Sequence, residues 1–127
     1  MLTEREVLST INMLRSGHLD VRTVTLGINL FDCASHDFDV FELKVRSKIL
    51  KYAKRLVETC NGVGDRYGIP VVNKRIAVSA IGTVCAGFST DQMVRVCRIL
   101  DECAKEVGVD FVGGFGALVE KGMTPGE

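Results

Sequence analysis

The sequence predicts an α/β fold in which consecutive βαβ units place parallel strands side by side. Short runs of alternating or β-branched residues, which are typical of strands, are separated by longer stretches with apolar residues three or four apart, which are typical of helices. Strands joined by helical crossovers form parallel sheets with right-handed connections. We expect residues 1–127 to form one α/β unit that is part of a larger domain.

The composition is that of a globular chain without a marked charge. Of its 127 residues 46% are hydrophobic, and the 16 basic and 16 acidic residues cancel. This balance does not favour nucleic acid, and no run approaches the roughly 18 apolar residues of a membrane span. The five cysteines form no CxxC pair. We therefore expect a cytoplasmic protein with free thiols and with neither nucleic acid nor membrane as a partner.

A helix comes first and a strand follows it. Thr3 and Glu6 form a capping box, so the helix is predicted over residues 4–16, with His18 just past its end. The pattern then changes to a period of two, with apolar residues alternating from Val24 to Leu30. The other face of this strand carries only small or polar residues, which suits the lining of a cavity or closely packed backbone.

A long second helix is predicted to begin at the capping pattern formed by Asp39 and Glu42. Its apolar stripe runs from Phe41 to Val63. The opposite face carries basic residues at helical spacing, namely Lys44, Lys48, Lys51 and Arg55. We interpret this as a solvated face, because no aromatic residues alternate with the charges as nucleic-acid binding would favour.

Three polar residues interrupt the second strand, which is predicted as a buried strand over residues 70–79. A buried, unpaired cation is costly, so Asn73, Lys74 and Arg75 are expected to be paired or to face a wet cavity. Lys74 and Arg75 are adjacent and therefore face opposite sides. Asn73 and Arg75 share a face, and Asp110 on the neighbouring strand is their candidate carboxylate partner. Structural pairing and anion binding both remain open.

A third helix and a third strand complete the pattern. Ser89 and Gln92 form a capping box, followed by an apolar stripe on which Cys97 and Cys103 are expected to be core thiols. The loop before this helix covers residues 82–88. The third strand, residues 110–115, contains a glycine pair, and residues 117–127 are predicted to form a short helix or a turn.

The carboxyl ends of the strands define the candidate site, because ligands of parallel α/β proteins collect there. Asp32 and Cys33 follow the first strand, and the backbone of Gly113 and Gly114 is suited to a close approach. Cys33 is a weaker candidate nucleophile, and with His36 it resembles half a metal site. No second pair of ligands accompanies them, so we expect no metal. The candidate ligand-binding residues are Asp32, Asn73, Lys74, Arg75, Gly113 and Gly114.

Three segments carry a resemblance to a known family. They are DVRTVTLGINL at residues 20–30, GIPVVNKRIAV at 68–78 and GVDFVGGFGALVEKG at 108–122. They closely resemble the N-terminal part of the uncharacterised "PFL family" proteins, also called domain of unknown function 711 or uncharacterised protein family 0210. The resemblance implies part of a pyruvate formate-lyase-like β/α barrel in a longer protein, of which this chain is the opening part.

The resemblance does not identify a reaction, and the cofactor stays unknown. Radical lyases of similar fold use adjacent cysteines and a C-terminal radical glycine, and this chain shows neither pattern. The family commonly has serine where Gly116 stands and Thr-Pro where Ser79 and Ala80 stand. Fold does not decide function, so it stays open whether the chain is enzymatic.

Two functions remain as hypotheses. The first is a small-molecule site at the strand ends, with anions among the expected ligands. The alternative is a non-catalytic binding or regulatory module that self-associates or pairs with a partner chain. In either case the three predicted strands leave sheet edges that a homo-oligomer or the remainder of a longer chain must cover.

Overall fold

The structure is a computed structural model that describes residues 1–17, 20–120 and 122–127. His18 lies outside the described residues. The helices and strands alternate as predicted, and their bounds in chain order are α1 (Glu4–Asn12), β1 (Val21–Ile28), α2 (Phe38–Ala53), α3 (Leu56–Tyr67), β2 (Val71–Val78), α4 (Ile81–Val84), α5 (Thr90–Val107) and β3 (Phe111–Gly113). A π-helical turn, Met13–Gly17, extends α1, and a 3-10 turn, Phe31–Cys33, follows β1.

The three strands form one parallel sheet in the order β1-β2-β3, which confirms the predicted strand arrangement. Leu26 of β1 is level with Ile76 of β2, which in turn is level with Val112 of β3. Because parallel strands in register bring their carboxyl ends to one edge, the loops after β1, β2 and β3 lie together.

The core lies between one face of this sheet and the helices α2 and α5. Ile28 and Ile76 contribute from the sheet, and both are 5% exposed or less. Phe41 and Phe88 meet edge to face, with ring centroids 5.1 Å apart. Burying such a side chain stabilises the fold by about 1.5–3 kcal/mol. The apolar stripes predicted for these helices are thus the surfaces that hold the unit together.

The other face of the sheet is open over much of its length. Thr25, Gly27 and Arg75 are exposed, and Phe111 on β3 is 56% exposed. Thr25, Arg75 and Phe111 are level with one another across the three strands, and Gly27 lies two residues further along β1 on the same face. The prediction of β2 as a buried strand holds for Ile76 and Val78, whereas Val72 and Arg75 are exposed and the other four residues are partly buried.

Several details of the helices differ from their predicted form. The long second helix is broken at Lys54 and Arg55, and no sequence signal marks the break because neither residue is a helix breaker. The N-cap of α2 is Asp37 rather than Asp39; its side chain accepts from the backbone N–H of Asp39 at 2.9 Å. Val63 is 49% exposed and does not belong to the core.

The third helix places its cysteines differently from expectation. Cys103 is fully buried, as predicted, but Cys97 is exposed, so its prediction as a core thiol is wrong. Ile99 is buried on α5 although it was not part of the predicted stripe. The capping box of Ser89 and Gln92 is confirmed.

The carboxyl-side loops contain one further element. The short helix α4 replaces part of the predicted loop, and its Gly82 N–H donates to the carbonyl of Gly116 at 3.0 Å. The described part of the tail contains a turn at Pro125 and Gly126 and no helix. No helix in the described ranges has the length and apolar character needed to cross a membrane.

Candidate functional site

Hydrogen bonds of Asn29 and Ser79 tie the carboxyl ends of β1 and β2 together. The Ser79 hydroxyl accepts from the backbone N–H of Leu30 at 3.0 Å and donates to the Asn29 side-chain oxygen at 3.4 Å. The same oxygen accepts from the N–H of Phe31 at 2.8 Å, which forms a local turn after β1. Leu30 anchors that turn because its side chain is fully buried.

Lys48 extends from α2 into this turn. Its ammonium donates to the Asn29 carbonyl oxygen at 2.5 Å and to Asp32 Oδ1 at 2.7 Å. The hydrogen bond from Lys48 lowers the pKa of Asp32, and the bond to Asp32 raises the pKa of Lys48. Both groups are therefore charged at neutral pH.

Sequence reasoning missed Lys48, Asn29 and Ser79 as site residues. Lys48 was assigned to the solvated face of the second helix, yet its side chain is only 21% exposed. It follows Val45 by three residues, so it lies at the border of the apolar stripe, and that spacing was the available signal. Nothing in the pattern identified Asp32 as its partner, because the two are 16 residues apart.

Cys33 is poorly suited to act as a nucleophile in this environment. Its side chain is 3% exposed, and its thiol donates to Asp32 Oδ1 at 3.6 Å. Burial, together with the negative charge of Asp32, raises the pKa of the Cys33 thiol, which disfavours the reactive thiolate. His36 is exposed, and the described residues contain no group of three or more potential metal ligands.

An open cavity of about 490 Å³ lies beside the Asp32 and Lys48 pair. We call it the Lys48 cavity. Its volume is within the range of small-molecule sites. It is lined by Asp32, Cys33, Leu43, Lys44, Ser47, Lys48, Lys51 and Tyr52.

Asn73 and Arg75 lie on the open face of the sheet, away from this cavity. The Arg75 guanidinium lies 5.3 Å from the centroid of the Phe111 ring. Arg75 precedes Val78, the last residue of β2, by three positions, or about 10 Å of strand. The structure thus places these two candidates near the middle of the sheet and Asp32 at its carboxyl edge.

Lys74 and Asp110 interact through the backbone. The Asp110 carboxylate accepts from the Lys74 N–H at 2.8 Å, and the Asp110 N–H donates to the Lys74 carbonyl at 2.9 Å. Asp110, the candidate carboxylate partner of Asn73 and Arg75, thus binds the β2 backbone at Lys74. Lys74 shares the helix-covered face with Ile76 by strand alternation.

The backbone of Gly114 packs closely against another part of this chain, the carbonyl of Val78. It has φ +107, and a Cβ there would lie 2.3 Å from the Val78 carbonyl oxygen. Its own carbonyl accepts from the Ile81 N–H at 3.0 Å. Gly113 has more space, since the nearest atom to a Cβ would be 3.7 Å away. The Gly114 backbone lines a second cavity of about 370 Å³ at the same edge of the sheet.

The chain matches one protein family along most of its length. A family model described as Uncharacterised ACR (DUF711) matches residues 12–127. UPF0210 proteins of Desulfovibrio desulfuricans, Oleidesulfovibrio alaskensis and Methanococcoides burtonii are 65%, 62% and 47% identical over 127 residues. Each comparison covers 100% of this chain and 28% of the relative, so the chain spans little more than a quarter of their length.

Proposed function

This chain belongs to the DUF711 family, and we propose that it contributes part of a polar small-molecule site at the carboxyl ends of β1 and β2. The observation that carries the proposal is the hydrogen-bonded network of Ser79, Asn29, Lys48 and Asp32 beside the Lys48 cavity. It holds an ammonium and a carboxylate in fixed positions at the edge where parallel α/β proteins bind ligands.

The role of Lys48 and Asp32 is to bind and orient a ligand. Each side chain is ionised, and each keeps hydrogen-bonding capacity beyond the bonds it makes within the network. A fixed pair of this kind favours a polar ligand that offers both acceptors and donors.

The open face of the sheet extends the proposal to Asn73 and Arg75. A guanidinium held beside an aromatic ring, with small residues next to it, is suited to a polar or anionic group. Gly113 lies on the same face, level with Gly27 and Ala77. In this proposal Lys74 and Gly114 do not contact the ligand. Their backbone groups hold the neighbouring segments in place through the hydrogen bonds to Asp110 and Ile81.

We also propose that the unit is the N-terminal part of a pyruvate formate-lyase-like β/α barrel. Support comes from the single parallel sheet, which is packed against helices on one face and exposed on much of the other. The longer relatives have ample chain to cover that face and both sheet edges. The open face would then line the interior of the barrel.

The test is to identify the small molecules that purify with the native protein. We expect mass spectrometry of the denatured wild-type protein to detect a bound polar molecule that is lost in Lys48→Met. Lys54→Met is the matched control, because Lys54 is exposed and does not line the cavity. Equal recovery from wild-type protein and Lys48→Met would contradict the proposal.

The second candidate is a self-associating, non-catalytic module, and the edge of β1 favours it. This eight-residue strand pairs with β2 on one side and has no partner on the other among the described residues. An open edge is a template for pairing with another chain. Sedimentation velocity tests this function: a dimer at micromolar concentration supports it, and a monomer contradicts it.

A further inference from the structure

The Lys48 cavity carries more positive charge than its surroundings offset. Three lysines line it, and Asp32 is the only carboxylate. That carboxylate is already bound to Lys48 at 2.7 Å. Over residues 1–17, 20–120 and 122–127, no carboxylate forms an ion pair within 4.0 Å with Lys44 or Lys51.

The spacing of these lysines concentrates the charge on one side of α2. Lys44 precedes Lys48 by four residues, and Lys51 follows Lys48 by three, so the three ammonium groups share one helix face. Like charges at this spacing destabilise a helix. An anion bound between Lys44 and Lys51 would offset that repulsion, whereas Asp32 neutralises only the middle charge.

The remaining lining indicates what kind of anion fits. Ser47 adds a hydroxyl that can donate one hydrogen bond, and the Tyr52 ring lies 5.3 Å from the Lys51 ammonium. Leu43 and Tyr52 are 65% and 56% exposed and offer apolar surface beside the charges. Lysine ammonium groups only donate, and a serine hydroxyl can add one further donor, so together they suit a group with several charged oxygen acceptors. Lysine is a common ligand of phosphate.

We infer that the Lys48 cavity binds the phosphoryl group of a small phosphorylated molecule between Lys44 and Lys51. Ser47 lies beside that group, and Lys48, held by Asp32 and Asn29, forms the back of the site. The organic part of the molecule lies against Leu43 and Tyr52. This inference rests on the proposed function, since it names the ligand class of the same site.

The test is isothermal titration calorimetry, in which inorganic pyrophosphate is titrated into the natively purified protein and the dissociation constant is measured. Ionic strength is kept constant so that screening does not imitate binding. We expect saturable binding that weakens about tenfold in Lys44→Met and in Lys51→Met, because each removes a charge-assisted hydrogen bond. Lys54→Met, which changes the same charge outside the cavity, is expected to bind as the wild type does.

Three results would overturn the inference. They are the absence of saturable binding, an equal loss in Lys54→Met, and binding of malonate as tight as that of pyrophosphate with the same dependence on Lys44 and Lys51. Its failure is separable from that of the proposed function. If a molecule without phosphorus purifies with the protein and depends on Lys48, the site stands and the phosphoryl group is wrong.

Discussion

The candidate site depends on one contact between distant residues, the ion pair of Lys48 and Asp32. Each residue is unremarkable in the sequence, one in a basic helix and the other after a strand. Packing of α2 beside β1 brings the ammonium within 2.7 Å of the carboxylate and within 2.5 Å of the Asn29 carbonyl. The sequence predicted Asp32 from its position and could not predict Lys48, because a contact between distant residues depends on how the elements pack.

At Gly114, both the backbone conformation and the packing require a residue without a Cβ atom. Gly114→Ala would force a side chain into a left-handed conformation and place its Cβ 2.3 Å from the Val78 carbonyl oxygen. We expect a loss of about 1–3 kcal/mol in the free energy of unfolding from the strain alone. Urea denaturation measures it, and Gly113→Ala is the control, since its Cβ would meet nothing closer than 3.7 Å. Equal stability of the two variants would contradict this role.

The cysteines should differ sharply in reactivity. Cys97 is exposed, whereas Cys85 is 1% exposed and burial raises its pKa from 9.0 to about 11. We expect a maleimide to label Cys97 in the folded 127-residue chain and to label Cys85 only after unfolding. Peptide mapping by mass spectrometry gives the rates, and similar rates at the two thiols would show that the burial is wrong.

The raised pKa of the Cys85 thiol also predicts how the free energy of unfolding changes with pH. Its folded-state pKa is raised, so its contribution to stability is fully present below pH 9.0 and is lost as pH rises towards about 11. Labelling of Cys85 should therefore increase over that window more steeply than labelling of Cys97.

At the scale of elements, the capping residues predicted where two of the helices begin, but residue spacing did not predict fully which side of each helix packs against the core. Thr3 with Glu6, and Ser89 with Gln92, form the capping boxes read from the sequence. Caps depend on residues three apart, so they are visible in one sequence. The exposure of Cys97 depends on which side of α5 meets a neighbour, and spacing alone leaves such border residues undecided. The break after α2 has no local signal, since neither Lys54 nor Arg55 is a helix breaker.

The capping box of α5 gives a test at this scale. Ser89→Ala removes the side-chain acceptor for the Gln92 N–H and is expected to lower the free energy of unfolding by about 1 kcal/mol. Ser89→Asp keeps an acceptor and should retain most of the stability. Chemical denaturation compares the two, and an unchanged Ser89→Ala would mean that α5 does not need this cap.

For the whole molecule, the parallel sheet was predictable and the location of its polar residues was not. Alternating strands and helices lead to consecutive parallel strands, and the structure has that order. The sequence predicts β2 as a buried strand whose polar residues are paired or face a wet cavity, and in the structure Arg75 is exposed on the open face and lies against Phe111. The candidate residues consequently separate into a carboxyl-edge network and an open face.

The most direct test of the carboxyl-edge site is a crystal structure of the native protein with the molecule that purifies with it. We predict ligand density in the Lys48 cavity, with a polar ligand atom within hydrogen-bond distance of Lys48 or Asp32. Density confined to the open face, over Arg75 and Phe111, would contradict the account. The polar network joining β1 and β2 would then serve only to hold the two strand ends together.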